Sequence, residues 1–287
     1  MTTFAKSVRK YEKLCRANDV PPETVMAFLV ELSMKERYNL YLHYEEEMPE
    51  DLEKRFDEGM QRILNQEPMA HVLGYSWFYG YRMIVNGDVL IPRSETEELC
   101  AHILSRIDRY FPEGEVECAD IGTGSGAIAI AVSKEEPRVR MTATDISADA
   151  LKTAVINAQE NDAHISFMAG DMVRPLIDRG CRLDVLISNP PYIPSEELME
   201  KSVVDFEPHV ALFGGNDGLY FYRQIFRDCR KVLKDRAFMA FEMGWDQRER
   251  MSALVEEYLP EARYEILKDM NGKDRMLFVY FNLGDDE

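Results

Sequence analysis

The stretch Ile187-Ser188-Asn189-Pro190-Pro191-Tyr192 closes the apolar run Leu183 to Ile187, which reads as a buried strand. Two consecutive prolines cannot donate to a sheet ladder, so the strand must stop there. The carbonyls of the turn are then unclaimed by secondary structure. Asn189 adds a side-chain carbonyl and Tyr192 adds a flat ring. Together they suit a planar group bearing an NH2, such as an amide or an exocyclic amine. A strand-ending turn without chemistry is the plain alternative, because Asn-Pro is common in turns.

A second constellation lies upstream. Val116 to Ile121 reads as a strand containing Asp120, and it runs into Gly122-Thr123-Gly124-Ser125-Gly126 and the small-residue helix Ala127 to Lys134. A turn without side chains lets a ligand approach backbone N–H groups at a helix start. Gly122, Gly124 and Gly126 fit the G-x-G-x-G of adenosylmethionine sites; Gly122, Gly124 and Ala127 equally fit the dinucleotide form. Asp145, nineteen residues past Gly126 at the end of the next strand, can accept both ribose hydroxyls. It also suits a helix start on dipole grounds alone. Asp120 and Asp171 likewise end strands, and three acids at three such ends exceed what capping needs. Hydride transfer would call for a general acid or base after the fourth strand. Asn189 to Tyr192 stand there instead, which favours methyl transfer to an amine or amide.

These residues need a scaffold, and the patterning supplies one. Residues 1–70 read as helical throughout: Phe4, Val8, Tyr11 and Leu14/Cys15, then Val25, Phe28, Leu29 and Leu32, then Lys35 to Tyr44, then Leu52, Phe56, Met60 and Ile63. Residues 71–92 are aromatic and Gly-punctuated. Tyr81 to Val85 and Val89 to Ile91 flank Asn86-Gly87, which predicts a β-hairpin with its turn there. Ser94 and Glu97 stand in capping-box register for the next helix. From 93 to 287 strands and helices alternate, ending in two strands joined by Asn271-Gly272. The expectation is an α/β domain with a mostly parallel sheet, a small all-helical domain before it, and a hairpin between.

Composition narrows the partners. With a net charge of -18 the chain gains no general counterion-release attraction to nucleic acid, so stable nucleic-acid binding is not expected. Five scattered cysteines, never in C-x-x-C, argue against a disulfide framework or a metal site. Met-Thr-Thr-Phe-Ala-Lys holds no apolar signal core and no stretch reaches the length of a membrane span, so a cytoplasmic monomer is expected.

Asn189-Pro190-Pro191-Tyr192 after the fourth strand, with Gly122 to Gly126 after the first, resembles the amide and amine branch of the class I methyltransferases, a Rossmann-like seven-stranded fold. Gly74 to Gly80, Val89 to Arg93 with Glu95-Thr96-Glu97, Glu207-Pro208, Ala211 to Gly215 with Asp217-Gly218-Leu219, Glu242 with Gly244 and Gln247, and Asp269 with Gly272, Asp274 and Arg275 are similar to the peptide-chain release factor N5-glutamine methyltransferases. The resemblance implies S-adenosylmethionine as methyl donor, held by Asp120, Gly122, Thr123, Gly124, Ser125, Gly126, Asp145, Asp171, Met172 and Asn189. It implies catalysis at Asn189, Pro190 and Tyr192, with Arg93 and Pro191 also meeting substrate, and release factors as protein substrate. A ribosomal-protein glutamine and a DNA adenine N6 are the alternative acceptors. The chain departs from the family pattern at Ser94, where proline is usual, and at Met172, where an aromatic residue often covers the adenine.

Overall fold

The computed structural model describes residues 2–35, 39–197 and 205–284. They form two compact units: the first takes in residues up to Gly74 together with residues 205–206, and the second runs from Tyr75 and resumes at Glu207.

The first unit is helical: α1 (Phe4–Ala17), α2 (Glu23–Lys35), α3 (Leu40–His43), α4 (Glu50–Leu64) and α5 (Met69–Leu73). Thr3 caps α1 by accepting from the Lys6 N–H, and Glu50, Asp51 and Glu53 place negative charge in the first turn of α4. The stripe Phe4, Val8, Tyr11 and Cys15 is buried with Phe28, Leu29 and Phe56. Phe28 stacks on Phe56 at 5.9 Å, and Tyr11 meets the same ring edge-on at 5.4 Å. Of the helix expected from Lys35 to Tyr44, Leu40–His43 is helical and residues 36–38 lie outside the described residues.

The second unit opens with a two-stranded hairpin, β1 (Tyr75–Phe78) and β2 (Tyr81–Ile84). Its turn is Tyr79-Gly80, not Asn86-Gly87 as the sequence suggested. Tyr79 and Gly80 take φ of 51° and 81°, the mirror-image geometry that matches strand twist. The Tyr79 N–H is anchored on the Glu97 carboxylate at 2.6 Å, which holds this side chain in place at positive φ. Asn86 is used otherwise: its Oδ1 accepts from the Asp88 N–H and its Nδ2 donates to Thr153. The capping box fails for a related reason. Helix α6 (Ser94–Tyr110) has Arg93 at its N-cap, one residue earlier than expected, so Glu97 is free to serve the hairpin.

α6 is followed by β3 (Val116–Ile121), α7 (Ala127–Glu135), β4 (Val139–Asp145), α8 (Ala148–Glu160), β5 (Ile165–Ala169), the short α9 (Arg174–Arg179) and β6 (Leu183–Ser188). After the loop come α10 (Tyr220–Asp228), β7 (Leu233–Glu242), α11 (Arg248–Tyr258), β8 (Arg263–Lys268) and β9 (Asp274–Phe281). The seven strands lie in the order β5-β4-β3-β6-β7-β9-β8, parallel except for β9, which pairs antiparallel with both its neighbours. One face packs Ile103, Ile107, Ile128 and Val132; the other packs Tyr222, Phe226, Met251 and Val255. This is the Rossmann-like α/β architecture of class I methyltransferases.

The chain builds outward from β3 to β5, then returns to place β6 on the other side of β3. That reversal is the switch point where open α/β sheets bind ligands at strand C-terminal ends. Ile121 pairs with Ser188 and with Thr144, so the Gly-rich loop, Asn189 and Asp145 leave the sheet side by side.

Helix α8 also fixes the second hairpin strand and the residues just after it. Asn161 donates to the Arg82 carbonyl, Asn157 both accepts from and donates to Ile84, and Thr153 accepts from Asn86. Four helical residues and two extended residues both advance about 6 Å, so the two ladders stay in step. Asn157, fully buried, donates as well to the Ser125 carbonyl in the Gly-rich loop.

Candidate active site

A cavity opens at the switch point. Of the predicted residues, Gly122 to Ser125, Asp145, Asp171, Met172, Asn189, Pro191 and Arg93 line it. Asp88 to Leu90, Thr96, Ile146, Val210 and Phe221 line it too. Asp120, Gly126, Pro190 and Tyr192 do not, and each has a physical reason.

Gly126 caps α7 at φ 82°, and a Cβ there would sit 3.2 Å from that of Ala154. Its role is close packing of loop on helix rather than ligand contact. Asp120 is 1% exposed and turns its Oδ2 to the Thr123 hydroxyl at 2.6 Å. It therefore reaches the cavity through Thr123. Its Oδ1 is buried without a hydrogen-bond partner. Pro190 is buried as a residue, and its carbonyl oxygen is what the turn leaves unclaimed among the described residues. Tyr192 packs with the second core face, and its hydroxyl donates to Glu242 at 3.2 Å.

Asp145 holds the loop as well as facing the cavity. Its Oδ2 accepts from the Gly124 N–H at 2.9 Å and its Oδ1 from Ser147 at 2.8 Å. Each oxygen keeps a further lone pair for a ligand hydroxyl. Met172 sits at φ 45°, its carbonyl accepting from the Thr144 hydroxyl, and its thioether side chain packs partly on the core. Asp171 is exposed at the rim.

Arg93 is only partly free for a substrate. Its guanidinium is paired with Glu207, whose side chain is 1% exposed and also accepts from the Ile91 N–H at 3.0 Å. This latch holds the Val89 to Arg93 rim against the segment that follows Glu207.

Asn189 donates from Nδ2 to Thr96 Oγ1 at 3.3 Å, and Thr96 donates to Glu242 Oε2 at 2.5 Å. Among the described residues, nothing donates to Asn189 Oδ1 or to the Pro190 carbonyl. The neighbouring carbonyl is claimed: Gln247 donates to Tyr192 O at 2.9 Å and accepts from Gly244. Thr96 and Gln247 stand in the segments that carry the resemblance, which assigns neither a role. The signal was available for Thr96, a hydroxyl on the buried stripe of Leu99, Cys100 and Ile103.

The turn is braced by two glycines. A Cβ on Gly214 would lie 2.4 Å from the Pro191 carbonyl oxygen, and one on Gly218 only 2.2 Å from that of Tyr192. Gly218 also takes φ 72°. Gly218→Ala is therefore expected to destabilise the fold by roughly 3 kcal/mol or more, because backbone must shift and strain adds to the clash. Urea unfolding of the variant would check this; a midpoint equal to wild type would remove the bracing role.

Buried acids lie beneath the cavity. Burial pushes the Asp120 carboxyl up to about 7, against the Thr123 hydrogen bond and with Asp145 adding to the rise. Burial raises Glu242 too, opposed by Thr96, Arg275 and Tyr192. The buried Cys100 thiol is pushed well above its ordinary range, chiefly by burial, with Asp120, Glu97 and Glu242 adding. Between the unfolded aspartate value near 3.8 and about 7, the folded state binds the extra proton at Asp120. Stability contributed by the neutral form is thus present at low pH and lost as pH rises through that window, on the order of 4 kcal/mol from this group. Denaturation from pH 4 to 8 should show wild type losing stability relative to Asp120→Asn. Parallel profiles would place Asp120 at an ordinary value.

The sequence matches the PrmC N-terminal domain over residues 8–74 and the Methyltransferase small domain over residues 101–206. It is 41% identical over 245 residues to the release factor glutamine methyltransferase of Bacillus cereus, covering 85% of this chain and 87% of that one. The corresponding protein of Bacillus subtilis is 41% identical over 84% of this chain and 85% of its own. That of Koribacter versatilis is 33% identical over 92% and 94%. Among solved structures, a methyltransferase from Pyrococcus furiosus has a TM-score of 0.52 at 18% identity, covering 78% of this chain and 98% of that one. The hMettl16 catalytic domain has a TM-score of 0.53 at 14% identity, over 83% of each. These two likenesses speak to the fold.

Proposed function

The chain belongs to the release factor glutamine methyltransferase family, and from that premise we propose how its own residues carry methyl transfer from S-adenosylmethionine to the side-chain amide of the glutamine in the Gly-Gly-Gln motif of peptide-chain release factors. The observation that carries the reading is the orientation of Asn189: its NH2 is spent on Thr96 and its Oδ1 is left toward a cavity shared with the Gly-rich loop and Asp145.

The residues present fit the methyl donor. Asp145 offers carboxylate lone pairs for ribose hydroxyls, and Ile146 and Met172 offer apolar surface for a base. A ligand bearing positive charge would favour the ionised form of the buried Asp120 carboxyl, whose Oδ1 has no hydrogen-bond partner among the described residues. When bound, the cofactor supplies an electrophilic methyl group on a sulfonium centre.

A glutamine amide nitrogen is a poor nucleophile because its lone pair is conjugated with the carbonyl. Asn189 Oδ1 and the Pro190 carbonyl accept its two N–H groups and so orient the nitrogen. As positive charge grows on that nitrogen, both hydrogen bonds strengthen, which lowers the barrier in the sense of a preorganised electrostatic site, and one of the two N–H protons is lost to solvent after transfer to leave a neutral N-methyl amide. Positioning adds the larger part; well-oriented reactions gain about 7–11 kcal/mol. Pro190 and Pro191 keep this turn rigid and Gln247 ties the Tyr192 carbonyl. Tyr192 acts through Glu242 and the turn, a positioning role. Arg93, paired with Glu207, shapes the mouth. The helical unit is the proposed docking element for the factor.

Among the described residues no helix is long and apolar enough to cross a membrane, and we place the enzyme with its substrate in the cytoplasm, acting as a monomer. Transfer of labelled methyl to purified release factor, ribosomal protein and duplex DNA tests the reading. Label on the Gly-Gly-Gln glutamine alone is expected. Label on DNA or on the ribosomal protein, with none on the factor, would overturn it.

A further inference from the structure

Asparagine oxygen and nitrogen are nearly isosteric, so packing alone does not choose which one faces the cavity. The choice must come from the group behind Asn189. That group is the Thr96 hydroxyl, 4% exposed for the residue as a whole, at 3.3 Å from Nδ2. A hydroxyl has one proton to give. Thr96 gives it to Glu242 Oε2 at 2.5 Å, and what remains toward Asn189 is a lone pair. Glu242, 3% exposed at the end of β7, is arranged as an acceptor: Thr96 donates to one oxygen and the Tyr192 hydroxyl to the other. Arg275 on β9 supplies a nearby positive charge.

From this geometry we infer that Glu242 and Thr96 are positioning residues for methyl transfer, a directional relay that forces the Asn189 amide to present its oxygen to the substrate. The inference rests on the reading of Asn189 as the acceptor for the substrate amide. In the flipped orientation Asn189 Oδ1 would face the Thr96 lone pair, acceptor against acceptor. Its NH2 would then meet the NH2 of the substrate, donor against donor. The relay excludes both mismatches at once. It also accounts for a threonine on the buried stripe of α6, where an apolar residue would otherwise pack.

The test compares Thr96→Val, which keeps the shape and removes the hydroxyl, with Thr96→Ser, which restores it. Thr96→Val is expected to lower kcat about tenfold or more, since a misdirected buried hydrogen bond at the reacting group carries at least that factor. The Kd for S-adenosylmethionine should stay at the wild-type value, and Thr96→Ser should recover most of the rate. The Asn189 side-chain NH2 resonances should shift in Thr96→Val and return in Thr96→Ser. Should Thr96→Val not fold, Thr96→Cys keeps the volume with a weaker donor, and its kcat is expected between those of Ser and wild-type controls on one side and Asn189→Ala on the other. Wild-type kcat in Thr96→Val or Thr96→Cys, with Asn189→Ala inactive, overturns the relay and leaves the role of Asn189 standing. Full activity in Asn189→Ala overturns the underlying reading instead.

Discussion

Asn189→Ala is expected to lower kcat by about a thousandfold, because removing one preorganised partner of a developing charge costs roughly that much. The alanine leaves the turn intact. Pro190 and Pro191 still set its backbone, and Gln247 still ties the Tyr192 carbonyl. What disappears is one of two acceptors for the substrate NH2, together with the orientation of the nitrogen lone pair. Cofactor affinity should change little, since the Gly-rich loop and Asp145 stand on other strands of the sheet. The expected pattern is therefore a loss confined to kcat, with a Kd for S-adenosylmethionine within about threefold of wild type, less than the worth of a single hydrogen bond. Single-turnover methyl transfer and titration calorimetry read the two quantities separately. Unchanged single-turnover rates would refute the catalytic role of this side chain.

Asp145→Ala should show the opposite pattern. Its carboxylate accepts from Gly124 and Ser147, and so fixes the loop and the start of α8 at the same time. Two charge-assisted hydrogen bonds to a ribose, each on the order of 1.5–3 kcal/mol, depend on the lone pairs left over. Losing them while loosening the loop is expected to weaken cofactor binding by about a hundredfold or more. Asp145→Asn keeps one acceptor and the side-chain shape, and should lie between. At saturating cofactor, kcat of both variants should approach wild type. A wild-type Kd in Asp145→Ala would exclude Asp145 from the cofactor site.

The two variants separate two ends of one cavity, and that separation follows from strand order. Asn189 follows β6 and Asp145 ends β4, with β3 between them. The reversal of winding at β3 brings the ends together.

The Gly-rich loop, Asp145 and the Asn189 turn were legible in the chain because each is a local event. A strand ends, a residue type that tolerates the turn follows, and a helix or a proline pair begins. The alternation from Val116 onward made the parallel sheet and its switch point legible for the same reason. The hairpin turn was not. Asn86-Gly87 carries the stronger local cue, yet Tyr79-Gly80 makes the turn because Glu97 of a later helix anchors the Tyr79 N–H. The capping box likewise gave way when the same Glu97 was used across the fold.

By itself the sequence determined the α/β architecture, since periodicity and turn chemistry are written in neighbouring residues, and it carried the motifs at Gly122 to Gly126 and Asn189 to Tyr192 whose resemblance implies methyl transfer. Only the tertiary structure decided which face of the Asn189 amide meets the cavity, that Asp120 reaches it through Thr123, and that Tyr192 supports the turn. The first of these hangs on hydrogen bonds between residues 93 and 146 positions apart, Asn189–Thr96 and Thr96–Glu242, and the last on Tyr192–Glu242, 50 apart, whereas the Asp120–Thr123 bond spans three residues and depends on how deeply the sheet buries Asp120. Direction in a hydrogen bond depends on what stands behind each partner, and no local pattern records that.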